Sequence, residues 1–225
     1  GFHGAETEDG KYVFAHVWQG TERNNGWFYR PVDSDKFVEL LSWEASYVFV
    51  GNRGTTFYFQ TDAGAPRGRV IAIDITKSAK ENWKTIVPES TETLQTVSFI
   101  GRRFFASYMR DGRTEVRMFD ESGQSLGIVP LPGLGKAGGF IGRSDDTETF
   151  YSFTSFTVPS VLYHYHIKTN KSTVWKEPKV DADLKPYETR LVFYNSKDGT
   201  RVPMFVTARK NLKLDGNNPV YLYGY

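Results

Sequence analysis

Four sets of short β-type segments follow one another along the chain at nearly equal spacing. Turn residues at the same place in each set, Gly10, Gly54, Gly101 and Asp146, are separated by 44, 47 and 45 residues. A period of about 45 residues is typical of a β-propeller, in which each repeat forms one small antiparallel sheet, or blade. A β-sandwich with coincidental spacing is the alternative, but its strands need not recur so evenly. The spacing therefore predicts four propeller blades.

The strands are predicted from alternating apolar and polar residues bounded by polar turns, and helical periodicity is almost absent. Phe57 and Phe59, for example, alternate with Tyr58 and Gln60, as burial on the faces of a strand requires. The predicted strands are Lys11–Trp18, Trp27–Val32 and Lys36–Leu41 in the first set; Tyr47–Val50, Thr55–Thr61, Arg69–Ile75 and Trp83–Val87 in the second; Gln95–Ile100, Arg103–Met109, Thr114–Asp120 and Ser125–Pro130 in the third; and Gly138–Gly142, Thr147–Phe153, Ser160–His166 and Thr173–Trp175 in the fourth.

A charged, Pro-containing stretch follows the fourth set and reads as a linker. After it, Tyr187–Tyr194 and Arg201–Ala208 flank an Asp-Gly pair, the signal of a β-hairpin. Asn218–Tyr225 is apolar and predicts one more strand. The chain opens on Gly1 without an initiator Met and stops inside this apolar pattern, so we expect a piece of a longer protein.

Composition removes several classes of function. Lys and Arg number 28 against 26 Asp and Glu, and a net charge of +2 supplies no field that attracts nucleic acid. The chain has no Cys, which excludes disulfides, thiolate metal sites and a cysteine nucleophile. No apolar run approaches the roughly 20 residues of a membrane span, so we expect a soluble protein without membrane contact.

Three groups of residues could in principle carry chemistry. His164 and His166 flank Tyr165, so both imidazoles leave one face of a strand and can chelate a metal. The sequence offers them no obvious third ligand, and we expect histidines at the solvent side or at a turn edge, with no metal site. The carboxylate pairs Asp145-Asp146 and Asp181-x-Asp183 suit acid and base catalysis, but Asp is also ordinary turn chemistry, which we expect here.

Two further patterns fall short of known catalytic motifs. Ser196–Thr200 is similar to the Ser-x-Asp-x-Gly box of sialidases, but it lacks the closing aromatic residue and occurs once. The glycines of Gly133–Gly135 and Gly138-Gly139 follow a strand without opening a helix, so we expect a loop between blades and not a phosphate loop. Gly123–Gly127 (GQSLG) has the spacing Gly-x-Ser-x-Gly, but it runs into a predicted strand and opens no helix, so it is not a nucleophile elbow.

Several stretches resemble the prolyl oligopeptidase family of serine peptidases. Thr147–Pro159 (TETFYSFTSFTVP) is similar to the last propeller blade of the family, and Tyr194–Phe205 (YNSKDGTRVPMF) to the start of its catalytic domain. Leu214–Tyr225 (LDGNNPVYLYGY) resembles the strand that leads to its oxyanion hole. Shorter matches at Thr85–Glu89 and Asp9–Tyr12 fall in the same order, so the resemblance spans essentially the whole chain.

The resemblance implies a fold and an activity. It makes residues 1–176 the last four blades of a seven-bladed β-propeller, 177–186 a linker, and 187–225 the first strands of an α/β-hydrolase domain, so the fold class is mainly β. The family cleaves short peptides on the carboxyl side of proline through a Ser-His-Asp triad and an acyl enzyme. The resemblance places none of that triad in these residues. It assigns Tyr225 to the oxyanion hole, where its hydroxyl joins a backbone N–H.

Other properties come from the same resemblance. Family members often carry an Arg and a Cys near the substrate in the loop after the strand Tyr12–Val17, but Trp18 and Thr21 stand at those places, so we transfer no substrate contact. The expected partner is a small proline-containing peptide, with access limited by the propeller. We expect a monomer without cofactor or metal, in the cytoplasm or alternatively the periplasm.

Two other functions remain open at this point. A propeller can serve as an interaction scaffold without catalysis. An enzyme similar to oligopeptidase B would prefer basic residues at the cleavage position. Residues 187–225 favour an enzyme, because a scaffold has no use for an apolar strand that ends in Tyr-Gly-Tyr.

Overall fold

The computed structural model describes residues 1–224 and consists almost entirely of antiparallel β-sheet. Four four-stranded sheets each pair consecutive strands in chain order, and a two-stranded hairpin follows them. This arrangement confirms the four predicted sets. Across the described residues, no helix is long and apolar enough to cross a membrane.

The strands of the first two sheets lie close to the predicted positions. The first sheet contains β1 (Phe2–Glu6), β2 (Tyr12–Trp18), β3 (Asn25–Pro31) and β4 (Val38–Leu41). The second contains β5 (Tyr47–Arg53), β6 (Thr56–Thr61), β7 (Arg69–Asp74) and β8 (Lys84–Val87), with the short 3-10 turns Ile75–Lys77 and Lys80–Asn82 before β8.

The remaining sheets follow the same plan. The third contains β9 (Thr93–Ile100), β10 (Arg103–Arg110), β11 (Arg113–Asp120) and β12 (Ser125–Ile128). The fourth contains β13 (Lys136–Ile141), β14 (Glu148–Thr154), β15 (Val161–His166) and β16 (Lys171–Lys176). The hairpin consists of β17 (Tyr187–Asn195) and β18 (Arg201–Arg209). Gly133 and Gly135 lie in the connection between the third and fourth sheets, as expected, whereas Gly138 and Gly139 belong to β13.

Two predictions about strands are corrected. Phe2–Glu6 forms β1, which the sequence did not predict, because this stretch is mostly exposed and shows no alternation; pairing with β2 makes it a strand. The predicted strand Asn218–Tyr225 is absent over residues 218–224. A strand requires hydrogen bonds to a neighbour, and no described residue pairs with this segment.

Aromatic side chains fill the spaces between neighbouring sheets, because each inner strand carries large residues on both faces. Between the second and third sheets, Tyr58 contacts Phe99 and Phe104, with ring centroids 5.1 and 5.0 Å away. Between the third and fourth, Phe105 and Phe140 stack at 5.6 Å. Burial of such rings is the main stabilising term where sheets pack face to face. The core is therefore a series of interfaces between successive sheets.

Candidate functional site

The hairpin contacts one end of the four-stranded sheets. Phe205 on β18 packs against Phe156, in the loop between β14 and β15, with ring centroids 5.6 Å apart. The same ring lies over Gly112 in the turn between β10 and β11, where an added Cβ would come within 2.9 Å of it. Both contacts are made by loops that join the second and third strands of a sheet. The hairpin therefore lies at that end of the sheets.

Local side-chain chemistry closes the hairpin turn. Asp198 accepts a hydrogen bond from the Ser196 hydroxyl and another from the Thr200 backbone N–H at 3.0 Å. These hydrogen bonds lower the pKa of Asp198 to about 2. Gly199 takes the left-handed conformation, with φ of 83°. The residues similar to a sialidase box thus form an ordinary turn.

The first strands of three sheets surround a cavity of about 200 Å³. Its lining includes Gly51 on β5, Ser98 on β9 and Phe140 on β13, and Glu8 contributes from the turn after β1. Ser98 donates a hydrogen bond to the Phe140 carbonyl at 2.6 Å, which ties two of these strands together. The cavity thus lies where the inner edges of the sheets converge.

The turns between first and second strands meet at the end away from the hairpin. The Glu8 carboxylate accepts hydrogen bonds from the backbone N–H and the hydroxyl of Ser144, at 3.0 and 2.8 Å, so the first and fourth sheets are in contact. Asp9, in the same turn, is partly buried, but hydrogen bonds from Thr7, the Lys11 N–H and Asn52 outweigh burial and lower its pKa. This end of the cavity is held by charged and hydrogen-bonded turns.

The carboxylate pairs behave as turn residues. Asp146 accepts a hydrogen bond from the Arg143 N–H at 2.6 Å, and Asp145 lies 3.8 Å from the Arg143 guanidinium. Asp183 accepts from the Lys185 N–H at 3.1 Å. Neither pair converges on the cavity lining or on the hairpin contact.

Trp18 and Thr21 stand at the places where family members often carry substrate contacts, and they lie at the start of the connection between β2 and β3. Trp18 ends β2 and packs against His16, with ring centroids 5.2 Å apart, and Thr21 lies in the turn that follows. Tyr225, the predicted oxyanion-hole residue, lies outside the described residues. Tyr221 and Tyr223, which precede it, are exposed and contribute no strand. The position of Tyr225 in an oxyanion hole stays a prediction.

The histidines have an acidic neighbour that sequence reasoning missed. The carboxylate of Glu148 on β14 lies 2.8 Å from His164 Nε2, so a third side chain able to bind a metal ion is close by. His166 ends β15 and is 45% exposed, as expected, whereas the His164 side chain is only 15% exposed. The strand register places Glu148 directly opposite His166. Glu148 could not be identified without that register, and alternation along the strands does not predict it.

Comparisons with known proteins agree on one family. The sequence profile for "Prolyl oligopeptidase, N-terminal beta-propeller domain" matches residues 2–178. Prolyl endopeptidase of Elizabethkingia miricola is 34% identical over 99% of this chain and 32% of its own length. That of Elizabethkingia meningoseptica is 34% identical over 97% of this chain and 31% of its own length. The chain thus spans about a third of the length of the curated relatives that it matches.

Solved structures give the same result. A prolyl endopeptidase structure with 37% identity superposes with a TM-score of 0.83, over 94% of this chain and 31% of that one. Apo prolyl oligopeptidase B of Galerina marginata superposes with a TM-score of 0.86 at 26% identity, over 96% of this chain and 32% of that one. A further structure of the Galerina protein holds a 35mer hydrolysis and macrocyclization substrate. The chain therefore belongs to the prolyl oligopeptidase family, and residues 2–178 are part of its N-terminal β-propeller domain.

Proposed function

We propose that this chain is part of a serine peptidase that cleaves short peptides on the carboxyl side of proline. One observation carries the proposal: similarity to prolyl endopeptidases covers 99% of the chain and so extends beyond the propeller, through the hairpin and the segment after it. A propeller that served only as a scaffold would not need these residues. The peptide substrate in the Galerina relative supports the substrate class.

The proposed domain organisation follows from the same similarity. Residues 1–176 form the last four of seven propeller blades, 177–186 are a linker, and 187–225 are the first strands of an α/β-hydrolase domain. The contact of Phe205 with Phe156 supports a peptidase domain that sits on this end of the propeller. In the reaction, the serine of a triad attacks the proline carbonyl carbon, the C–N bond breaks, and the C-terminal part of the peptide leaves as an amine protonated by the histidine. Water then hydrolyses the acyl enzyme. No triad residue is assigned within these 225 residues.

The propeller restricts substrate size in this proposal. A closed ring of blades leaves only a narrow central channel. A folded protein cannot pass such an opening, whereas an extended peptide presents a much smaller cross-section. Folded substrates would therefore be excluded from the catalytic residues.

Tyr225 has the one catalytic role that we assign within the chain. A phenol is a neutral donor at pH 7, and we propose that its hydroxyl stabilises the tetrahedral oxyanion together with a backbone N–H. Removing one such donor costs about 2.7 to 4 kcal/mol in well-studied cases. In the whole enzyme, Tyr225→Phe should lower kcat/KM by about 10- to 1000-fold and change the free energy of unfolding by no more than about 1 kcal/mol. Wild-type kcat and kcat/KM, with chemistry rate-limiting, would make Tyr225 a packing residue.

The substrate class is tested with the whole enzyme and matched peptides that differ only at the cleavage position, which is Pro, Ala or Arg. We expect cleavage after Pro alone, read by mass spectrometry, and none of the same Pro sequence within a folded protein. Cleavage after Arg would favour an enzyme similar to oligopeptidase B. No cleavage of any peptide would favour the scaffold function.

A further inference from the structure

We propose that Glu148, His164 and His166 form a binding site for a divalent transition-metal ion, Zn²⁺ in the first instance, on the fourth sheet. None of the three residues takes part in the hairpin contact. The three side chains are the only group of at least three His or acidic ligands that converges in this way within residues 1–224.

Strand geometry brings the three ligands together. His164 and His166 alternate along β15 and so leave the same face, and Glu148 on β14 pairs directly with His166. Oε2 of Glu148 lies 2.8 Å from His164 Nε2 and 3.9 Å from His166 Nδ1. All three ligand atoms lie within 4.8 Å of one another. Ligands of a tetrahedral ion with bonds of about 2.0 to 2.1 Å stand roughly 3.3 Å apart, so small side-chain rotations complete the site.

Packing holds the central ligand in place. The His164 ring stacks on Phe150, with centroids 4.8 Å apart and planes at 17°, and the Trp175 ring lies at 70° to it with a centroid distance of 5.9 Å. His164 is therefore fixed before an ion arrives. Glu148 and His166 are about half exposed, so the ion reaches the site from solvent. A fixed ligand beside two accessible ones reduces the entropy lost on binding.

The donor set selects the kind of ion. Two imidazole nitrogens and one carboxylate oxygen suit Zn²⁺, Ni²⁺ or Cu²⁺, whereas Mg²⁺ and Ca²⁺ prefer oxygen ligands alone. Three protein ligands leave a fourth position for water. Lys171 on β16 pairs with His166, so a lysine stands on the same face of the sheet next to the proposed site. A bound ion would join β14 to β15 and stabilise the fourth sheet.

The test is isothermal titration of the protein with ZnSO₄, after removal of metal with EDTA and dialysis. We expect one equivalent to bind, and we expect Glu148→Gln and His166→Gln each to weaken binding by at least about 10-fold. Both residues are half exposed, so both variants should fold. His3→Gln is the matched control. His3 pairs with His16 across β1 and β2, and these two are the other histidines of the chain.

Thermal melting gives a second readout. Zn²⁺ should raise the Tm of the wild type and of His3→Gln, and should leave that of His166→Gln unchanged. The proposal is overturned if the wild type takes up no Zn²⁺, or if His166→Gln binds it as tightly as the wild type does. Loss of binding in His3→Gln alone would also overturn it, since that places the ion on the first sheet.

Discussion

Arg117 on β11 is the centre of a group of ion pairs on the third sheet. Its guanidinium donates to Glu92 at 2.8 Å and to Glu115 at 2.7 Å, and it lies 4.3 Å from the ring centroid of Tyr108. Hydrogen bonds from Ser90 and Arg117 lower the pKa of Glu92 to about 2. Glu92 and Arg117 are each about one-fifth exposed, so solvent screens the pair only in part.

This pKa predicts how stability depends on pH. A carboxylate whose pKa is lower in the folded state stabilises the fold above its unfolded pKa, here 4.5, and that contribution is lost as the pH falls towards about 2. Glu92→Gln should lower the free energy of unfolding at pH 7 by about 1 kcal/mol or less, and the difference should shrink between pH 4.5 and 2. Thermal melts across this range measure it.

The control for this series is Glu81→Gln, which changes an exposed carboxylate that forms no salt bridge within the described residues. It should follow the wild type at every pH. A Glu92→Gln deficit that stays constant down to pH 2 would mean that packing, and not charge, explains the effect.

The group formed by Glu148, His164 and His166 shows what the sequence can and cannot predict at the scale of single residues. Alternation along a strand correctly places His164 and His166 on one face. Glu148 lies 16 residues before His164, and only the register of β14 against β15 brings the two together. Register depends on the turn between strands and on packing, and alternation alone does not determine it.

Strands were the most predictable elements of the chain. Every predicted strand of the four sheets differs from the observed one by three residues or fewer at either end. Alternation and turn residues suffice there because the sheets pack on both faces. The failures, β1 and residues 218–224, are exposed segments whose state depends on whether a partner strand is present. The sequence of the segment itself does not show whether a partner strand is present.

Two turns at the inner edges of the sheets contain a glycine in the left-handed backbone conformation. Gly54 and Gly101 join first to second strands in adjacent sheets, with nearly equal φ of 55° and 56°. An added Cβ at Gly54 would meet no atom within 4 Å. At Gly101 it would come within 2.5 Å of the Asp146 carbonyl oxygen and 2.8 Å of the Ile167 side chain. Of the two glycine positions, only Gly101 is in close contact with the next sheet.

Comparing the stability of Gly54→Ala and Gly101→Ala separates the cost of backbone strain from the cost of disturbing the contact between sheets. Gly54→Ala should cost about 1 to 2 kcal/mol of stability, the price of a left-handed alanine. Gly101→Ala should cost the same plus about 1 to 3 kcal/mol, because the Asp146 backbone must move. Thermal melts of the two variants measure the difference. Equal losses of stability in both variants would mean that the contact between the third and fourth sheets accommodates the added methyl group without further cost.

At the scale of the whole molecule, the order of the sheets was predictable from the 45-residue period, but the contact between hairpin and sheets was not. Phe205, Phe156 and Gly112 are far apart in sequence, and each reads locally as an ordinary strand or turn residue. A two-stranded hairpin alone is at best marginally stable in water. The hairpin therefore depends on what it packs against, and Phe205 supplies its aromatic contact with the four-stranded sheets.

Phe205→Ala should consequently loosen the hairpin while leaving the sheets intact. The lost contact should cost the docked state about 1 to 2 kcal/mol, so amide hydrogen exchange over residues 187–209 should rise by roughly 5- to 30-fold. Exchange in β10 should be unchanged, because its pairing with β9 and β11 does not involve the hairpin.

Val192→Ala is the matched control. Val192 adjoins Leu191, the partner of Phe205, and so points to the opposite face of the hairpin. It should stay within about twofold of the wild type. Equal exchange in wild type and Phe205→Ala would show that the hairpin is held without this contact, and the proposed position of the peptidase domain would lose its structural support.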